Sequence, residues 1–290
     1  MQRIRFTAAR YLGVPAALIA VTLWSSAPLL AEQARSVSAL ALTTLSLFAG
    51  ALATLPLGRR APALSCSLGG YLSVWLGVPL LILGAVSSYF IGMRIAPAAE
   101  AALVTYTWPV LFVLLSQWTR LGQVRLKSLT GALIAFGGAA LLLTPQAGAG
   151  MADTSLLGYG FALLAALCWA LYSWVGQVAP IALTPRLPRL LLIAASLSAA
   201  ATLWLEGGIT LPGATALSAG IALGLGPFGI AMVAWDNALR RGQASVVGSL
   251  AYGVPLLAAA LLVVVGISPL DWRLPLATVL VIIGCVQASR

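Results

Sequence analysis

The chain has 290 residues, of which 61% are hydrophobic and only 8% are charged, and its mean hydropathy is +1.03. Stretches of roughly 20 apolar residues recur along its whole length, as in helical integral membrane proteins, whereas a soluble domain of this size would carry far more charge. A membrane barrel is excluded as well, because barrel strands are short and alternating, while these runs are continuous and rich in Ala, Leu and Gly.

Charged and turn-forming residues divide the sequence into ten predicted membrane-spanning helices. In chain order they cover approximately 12–31, 37–57, 70–92, 97–118, 127–145, 156–178, 188–206, 216–239, 244–266 and 273–288. The first follows several arginines and therefore also resembles a secretory signal peptide. It is long enough to span a bilayer and has a counterpart later in the chain, so we expect it to remain as the first helix.

The basic residues behind the net charge of +10 are divided unequally between the two sides of the predicted spans. Three basic residues fall on one side of the membrane: Arg35, Arg94 and Arg273. The other 13 fall on the opposite side: Arg3, Arg5, Arg10, Arg59, Arg60, Arg120, Arg125, Lys127, Arg186, Arg189, Arg240, Arg241 and Arg290. The positive-inside rule then predicts a multi-pass protein of the cell (inner) membrane with both termini in the cytoplasm. The basicity reflects topology, and no nucleic-acid partner is expected.

The second half of the sequence repeats the first. "ALIAVTLWSSAPLLA" aligns with "ALLAALCWALYSWVG" at an offset of 145, which places Trp24 over Trp169. "TYTWPVLF" aligns with "AYGVPLLA" at an offset of 146, which places Tyr106 over Tyr252. The second offset also pairs Pro109 with Pro255, Arg94 with Arg240 and Gly138 with Gly284.

The repeat predicts two domains of equal length, residues 1–145 and 146–290, each with five helices. Because five is odd, the second half must enter the membrane in the opposite orientation to the first. Such inverted-topology repeats are typical of secondary transporters, whose substrate sites lie near the membrane midplane. We therefore predict an all-α integral membrane protein of ten transmembrane helices arranged as two inverted five-helix repeats.

These features resemble the drug/metabolite transporter superfamily, specifically its EamA-type members. The resemblance covers nearly the whole chain and includes the tryptophan in the first helix of each half, the Y-x-x-P element in the fourth, and "RRGQASVVGSLAYGVPLLAAALLVVVGISPLDW" followed by "VIIGC". EamA-type sequences usually carry Gly-Glu after the fourth helix, where this chain has Gly122-Gln123 and Ser268-Pro269. This departure makes the chain more similar to the YddG-type aromatic amino-acid exporters, and the resemblance implies amino-acid export.

Prolines predict where a substrate could sit. Proline removes a backbone donor, so Pro109 should free the carbonyl of Thr105, and Pro255 that of Ala251. Helices three and eight should be interrupted in the same way by Pro79 and Pro227. Interrupted helices at corresponding places of two repeats point to a transporter's binding site.

The candidate substrate-binding residues are Trp24, Ser88, Tyr106, Pro109, Trp169, Tyr172, Phe228, Tyr252 and Pro255. Aromatic faces with a few hydroxyls would suit a ligand with a planar apolar side chain and a zwitterionic head. Trp108 lies only two residues from Tyr106 and cannot share its face on a regular helix, so we expect it to point elsewhere.

Ionisable groups are sparse within the predicted spans. The chain has no histidine, and among its acids Glu100 and Asp236 fall inside spans, both near span ends. Proton-coupled carriers keep an ionisable relay in the membrane, so we expect a facilitator driven by the substrate's own gradient. An enzyme is not expected, nor a cofactor or metal site, and Cys66, Cys168 and Cys285 are interpreted as unpaired packing residues.

Several alternatives stay open at this stage. The substrate could be a drug or another metabolite, such as a nucleotide sugar, transport could be proton-coupled antiport, and the protein could be a membrane channel or scaffold. Small residues such as those in "AFGGAA" permit close helix packing and could form a homodimer interface, although a monomer is equally plausible. The expected partners are a small-molecule substrate and the lipid bilayer.

Overall fold

The structure is a computed structural model that describes residues 12–58, 67–143, 156–208, 211–264 and 272–289. Within these ranges all regular elements are helices, which satisfy their backbone groups internally as a bilayer requires. Eight helices are long and apolar enough to cross a membrane, and the helices at Leu126–Leu141 and Arg273–Ala288 are apolar but shorter. The predicted class, an all-helical membrane protein, is confirmed.

Some predicted features lie outside the described residues. They are the junction between the two predicted domains, Ser268 and Pro269, Cys66, and the basic residues Arg3, Arg5, Arg10, Arg59, Arg60 and Arg290.

The helices are numbered in chain order, with interrupted helices given by segment. They are α1 (Val14–Trp24 and Ala27–Gln33), α2 (Ala39–Gly58), α3 (Leu68–Leu72, a π turn at Ser73–Gly77, and Val78–Ile95), α4 (Ala98–Thr105 and Trp108–Leu121), α5 (Leu126–Leu143), α6 (Leu156–Val178), α7 (Leu187–Glu206, after a 3-10 turn at Thr184–Arg186), α8 (Ala214–Leu225, a π turn at Gly226–Ile230, and Ala231–Arg241), α9 (Ala244–Leu250 and Gly253–Val264) and α10 (Arg273–Ser289).

Helix α4 breaks where its proline predicts. The first segment ends at Thr105 and the second begins at Trp108, one residue before Pro109, which has no N–H to donate to the Thr105 carbonyl. The N–H of Tyr106 still donates to the carbonyl oxygen of Ala102 at 2.8 Å. The break is therefore a tight turn and not an unwound stretch.

The other predicted interruptions take two forms. Helix α9 breaks between Leu250 and Gly253, ahead of Pro255, as the repeat predicts. Helices α3 and α8 remain continuous but each contains a π turn, one just before Pro79 and one that includes Pro227. Single π turns inside α-helices are frequent at functional sites.

Helix α1 contains a break that the sequence analysis did not predict. It falls at Ser25 and Ser26, and Pro28 stands in the first turn of the following segment, so the Trp24 carbonyl loses its helical donor. The corresponding part of α6 is a continuous helix through Val178. The two halves of the chain therefore differ in conformation at their first helices.

Helix packing joins the two halves. Helix α5 packs against α10, α2 against α7, α3 against α6 and α1 against α8, while α4 contacts both α6 and α9. In the predicted repeat, α1 corresponds to α6, α2 to α7, and so on to α5 and α10. If each helix is replaced by its counterpart, the α1–α8 contact becomes the α6–α3 contact. The α2–α7, α4–α9 and α5–α10 pairs stay the same. This reciprocal packing is what the predicted repeat would produce.

Close contacts between glycines and a neighbouring helix end occur at corresponding positions in the two halves of the chain. A Cβ on Gly13, before α1, would lie 2.8 Å from the backbone nitrogen of Gly242 at the end of α8. A Cβ on Gly158 in α6 would lie 2.9 Å from the backbone nitrogen of Ala96 at the end of α3. Both contacts require glycine, because a real Cβ does not come this close to backbone.

The small residues of α5 pack within the chain. A Cβ on Gly138, part of "AFGGAA", would lie 2.9 Å from the carbonyl oxygen of Ala277 in α10, and one on Gly284 would lie 2.5 Å from the backbone nitrogen of Ala135. Small residues let two helix backbones approach closely in a membrane. Gly138 and Ala135 therefore serve the α5–α10 contact in this structure.

Candidate functional site

An aromatic cavity lies where the interrupted helices meet. Together with its opening it contains about 580 Å³ of empty space. Residues from the α1 and α4 breaks, the α8 π turn and α3, α6 and α9 line this cavity: Trp24, Ala27, Pro28, Tyr89, Thr105, Tyr106, Trp108, Trp169, Phe228 and Val254. Proline and glycine in "SSAP", "TYTWP" and "GLGPFG" thus bring irregular backbone to one place, where it lines a cavity and does not face lipid.

Four tryptophans pack together at this site. The ring centroid of Trp24 lies 6.3 Å from Trp108, 5.8 Å from Trp169 and 5.1 Å from Trp235. Trp108 and Trp235 are 5.5 Å apart in an edge-to-face arrangement. These separations are typical of favourable aromatic pairs, so the rings support one another in fixed orientations.

Hydrogen bonds fix two of the four indoles. Nε1 of Trp24 donates to the carbonyl oxygen of Pro227 at 2.9 Å, which ties the α1 break to the π turn of α8. Nε1 of Trp235 donates to the hydroxyl of Ser173 at 3.0 Å, and Trp235 is fully buried beneath the cavity. Both N–H groups are therefore satisfied within the protein, and the ring surface of Trp24 that lines the cavity remains for a ligand.

Polar atoms at the cavity are few. The hydroxyl of Thr105 donates to the Ala162 carbonyl at 3.3 Å, so α4 is held to α6 there. Pro28 and Pro109 leave the carbonyls of Trp24 and Thr105 without their helical donors. None of the described lining residues is charged. The site can therefore hold a planar ring and offer carbonyl or hydroxyl oxygens to a donor group.

The structure brings together four of the nine candidate substrate-binding residues: Trp24, Tyr106, Trp169 and Phe228. Ser88 is buried beside the lining residue Tyr89, and the rings of Pro109 and Pro255 are buried next to the breaks that they cause. These three residues do not line the cavity.

Two of the candidate tyrosines, Tyr172 and Tyr252, lie away from the aromatic cavity. Tyr252 is fully buried and packs against Phe136, with ring centroids 6.0 Å apart, and Tyr172 is buried behind Trp169 at 5.8 Å. Neither lines the cavity. The alignment pairs Tyr252 with Tyr106, but the two halves do not have the same conformation, so equivalent side chains reach different surroundings.

The expectation for Trp108 was wrong. Trp108 lines the same cavity as Tyr106, although they are two residues apart. The argument from helical geometry fails because the helix ends at Thr105 and begins again at Trp108. The break reorients one side chain relative to the other.

Two further site residues were missed although the sequence carries a signal for them. Tyr89 lines the cavity and Trp235 packs beneath it, and the offset of 146 aligns one with the other. Pro28 was also overlooked, although it follows Trp24 within the repeated segment. Aromatics at repeat-equivalent positions would have found Tyr89 and Trp235, and a search for every proline within the spans would have found Pro28.

A second cavity, the vestibule, adjoins the aromatic cavity and lies toward one face of the protein. Together with the open space at its mouth it contains about 490 Å³ of empty space, and it shares Pro28 and Tyr89 with the aromatic cavity. Charged residues border it, among them Glu32, Arg35 and Arg94. At the opposite face, the described depression around Arg120 and Arg240 shares no lining residue with the aromatic cavity.

A buried carboxylate holds the opposite face together. Oδ2 of Asp236 in α8 accepts hydrogen bonds from the backbone N–H, at 2.9 Å, and the hydroxyl of Thr184. Nε of Arg240 lies 3.7 Å from Oδ1 of Asp236. Nη2 of Arg240 donates to the carbonyl oxygens of Ala179 and Ile181. This Asp236 network ties the end of α8 to the segment between α6 and α7. Its charge-assisted hydrogen bonds stabilise this end of the helix bundle.

The comparisons with known proteins agree with this architecture. The EamA-like transporter family matches the chain twice, at residues 11–144 and 156–290. The aromatic amino acid exporter YddG of Ancylobacter novellus is 32% identical over 272 residues, which are 93% of this chain and 94% of that protein. An uncharacterized protein of Pseudomonas aeruginosa is 32% identical over 258 residues, 86% of this chain and 83% of that one.

A solved crystal structure has the same fold. It superposes with a TM-score of 0.83 at 30% sequence identity and covers 96% of both chains. The predicted similarity to EamA-type transporters and to the YddG-type exporters is confirmed, and the family and the named relative are transporters and not enzymes. The chain therefore belongs to the EamA-like transporter family.

Proposed function

We propose that the protein is a secondary transporter that moves small amphipathic metabolites, including amino acids with aromatic side chains, out of the cell by alternating access. The observation that carries this proposal is the aromatic cavity, which three tryptophans, Trp24, Trp108 and Trp169, line between two helix breaks. The similarity to a relative named as an aromatic amino acid exporter supports the substrate class.

The chemistry of the cavity suits this class of substrate. An indole or phenyl ring can pack edge-to-face against Trp24, Trp169 or Phe228, in the geometry that aromatic pairs prefer. The carbonyl oxygens that Pro28 and Pro109 leave without helical donors can accept hydrogen bonds from the substrate's ammonium group. A zwitterion brings little net charge into this setting, which lowers the cost of removing it from water.

The proposal includes an architecture of ten membrane spans. They form two inverted five-helix repeats, residues 1–145 and 146–290. The double match to the family supports it, and so does the reciprocal packing of α1 on α8 and α6 on α3. Exchanging the conformations of two such halves converts an opening on one face into an opening on the other. A homodimer and a monomer are equally compatible with this mechanism.

The proposed location is the cell's inner membrane, and the proposed orientation places both termini in the cytoplasm. The positive-inside rule then assigns the face with Arg120, Arg125 and Arg240 to the cytoplasm and the vestibule to the outside. In this conformation the substrate cavity is reached from outside, while the Asp236 network holds the cytoplasmic end.

Facilitated movement without proton coupling is the proposed energetics. Neither Glu100 nor Asp236 borders the aromatic cavity: Glu100 accepts a hydrogen bond from the Tyr159 hydroxyl, and Asp236 is held by Thr184 and Arg240. The direction of net transport then follows the substrate's gradient. Uptake into liposomes that becomes concentrative under an imposed pH gradient would show proton coupling instead.

A competition panel in liposomes tests the substrate class. Labelled phenylalanine enters liposomes that contain the purified protein, and unlabelled tryptophan, phenylalanine, threonine, a cationic dye and a nucleotide sugar are added in turn. We expect tryptophan and phenylalanine to inhibit at the lowest concentrations, because only they fill the aromatic cavity. Stronger inhibition by the dye or the nucleotide sugar would identify a drug or sugar-nucleotide carrier and would contradict the proposal.

A further inference from the structure

Arg94 stands out among the charged residues of the vestibule. It lies in the last turn of α3, is half-buried and borders the vestibule. Its Nη2 is buried, and no hydrogen-bond acceptor among the described residues reaches it. A buried donor of a charged group without an acceptor is costly, so an arginine kept in this setting calls for a partner.

The nearby carboxylates already have partners. Glu32 pairs with Arg35 at 3.1 Å, and Glu206 accepts a hydrogen bond from the Ser38 hydroxyl at 2.6 Å. In the described part of the chain no carboxylate oxygen lies within 4.0 Å of Arg94. The guanidinium group is therefore the cation of the vestibule that has no anion of its own.

The internal repeat shows what such an arginine binds when it is satisfied. Arg94 aligns with Arg240 at the offset of 146, and Arg240 pairs with the carboxylate of Asp236, four residues before it. The same offset places Phe90 where Asp236 stands. The second half of the chain thus supplies a carboxylate to its arginine, and the first half has a phenylalanine in that position.

We propose that Arg94 binds the α-carboxylate of the transported amino acid. The substrate carboxylate would then pair with Arg94 in the same way that the Asp236 carboxylate pairs with Arg240. This inference rests on the proposed transport of amino acids. Phe90 also borders the vestibule and packs edge-to-face on Phe228 of the aromatic cavity, with ring centroids 6.0 Å apart. An apolar surface therefore leads from the carboxylate site toward the tryptophans.

The spacing along α3 fits one ligand that spans both cavities. Tyr89 borders the aromatic cavity as well as the vestibule, and Arg94 follows it by five residues, which corresponds to about 7.5 Å along a helix axis. The rise is somewhat longer than an extended aromatic amino acid from carboxylate to ring, and the long Arg94 side chain, which leans toward the N-terminal turn of a helix, can make up the difference. A ligand can therefore have its ring near Tyr89 while its carboxylate contacts Arg94.

The chemistry of arginine favours a carboxylate over other anions of similar size. The planar guanidinium forms two parallel hydrogen bonds to the two carboxylate oxygens, whereas lysine acts as a point charge. Partial burial reduces screening by water and salt, so the pair is stronger here than on an open surface. Loss of one charge-assisted contact of this kind corresponds to about tenfold weaker binding or more.

Tryptophan and tryptamine provide the test, because they share the indole and the ammonium group and only tryptophan has a carboxylate. Both compete with labelled phenylalanine for flux into liposomes, and the readout is the ratio of their half-inhibitory concentrations. In the wild type we expect tryptophan to inhibit at a concentration about tenfold lower than tryptamine, or lower still. In Arg94→Gln we expect the ratio to fall toward one because tryptophan binds more weakly while tryptamine does not.

Two further variants keep the test decisive. Arg120→Gln removes an exposed arginine from the last turn of α4 at the other face and should leave the ratio unchanged. Arg94→Lys keeps a positive charge at the end of α3 and should give an intermediate ratio, which decides the matter if Arg94→Gln does not fold.

Three results would overturn the inference: a wild-type ratio near one, an unchanged ratio in a folded Arg94→Gln variant, or an unchanged ratio in Arg94→Lys. The proposed function fails in a different way. In that case wild-type liposomes show no saturable phenylalanine flux, or tryptophan does not inhibit it.

Discussion

Trp24→Ala raises the KM for tryptophan by a factor on the order of 30 or more, because it removes a buried aromatic contact for the substrate ring. Trp24 lies at the centre of the four-tryptophan cluster and contacts Trp108, Trp169 and Trp235. The measurement is saturable uptake of labelled tryptophan into liposomes, with thermal unfolding in detergent to establish that the variant is folded.

Two variants separate the role of the ring from that of its N–H group. Trp24→Phe keeps an aromatic ring and loses the hydrogen bond to the Pro227 carbonyl, so it should impair uptake less than alanine does. Trp204→Ala is the matched control, because the Trp204 side chain is 85% exposed at the end of α7 and borders no described cavity. A folded Trp24→Ala variant with wild-type KM would show that the cluster does not contact the substrate.

Asp236→Asn lowers the free energy of unfolding by about 2–3 kcal/mol, which is the second large effect that we expect. The substitution removes the carboxylate charge that pairs with Arg240 and accepts hydrogen bonds from Thr184. The Arg240 side chain is 28% exposed, so part of its charge remains solvated and the loss stays below that of a fully buried pair. Thermal unfolding of the purified variant measures the effect.

Glu32→Gln provides the control for this prediction. Glu32→Gln also removes a carboxylate that pairs with a nearby arginine, Arg35, three residues later in the chain. The Glu32 and Arg35 side chains, however, are 67% and 68% exposed. Exposed pairs contribute about 0–1 kcal/mol, so the unfolding temperature should barely change. Equal destabilisation by both substitutions would contradict the stabilising role of the Asp236 network.

Local chemistry in the sequence predicted several features of the fold correctly. Pro109 and Pro255 predicted the breaks in α4 and α9, because a missing N–H and a ring clash act within one helical turn. The alignment at an offset of 146 also places the breaks of α4 and α9 at corresponding positions. These signals depend only on residues that are near one another in sequence or repeated at a fixed offset.

Features that depend on the conformation of each half could not be predicted in the same way. Tyr106 lines the cavity while its counterpart Tyr252 is buried against Phe136, because the halves differ in how their helices are broken and packed. A repeat in sequence establishes equivalent positions and leaves open which half is bent. Trp108 was misplaced for a related reason, since a face argument assumes a continuous helix.

Contacts between distant segments were also beyond the sequence. Asp236 was recognised only as an acid near a span end, because its partner Thr184 lies in the segment between α6 and α7 and 52 residues away. The unpartnered Arg94 became visible in the same way, once the surroundings of each guanidinium group were known. Burial and partner geometry, and not spacing, identify both residues.

Counterflow of tryptophan tests the proposed carrier mechanism most directly. Liposomes that contain the protein are loaded with unlabelled tryptophan and diluted into a trace of labelled tryptophan at equal pH on both sides. An alternating-access facilitator returns labelled substrate on each inward step, so the label should rise transiently above its equilibrium level and then decline. Label that enters without this overshoot, at a rate proportional to its concentration, would identify a channel and contradict the mechanism.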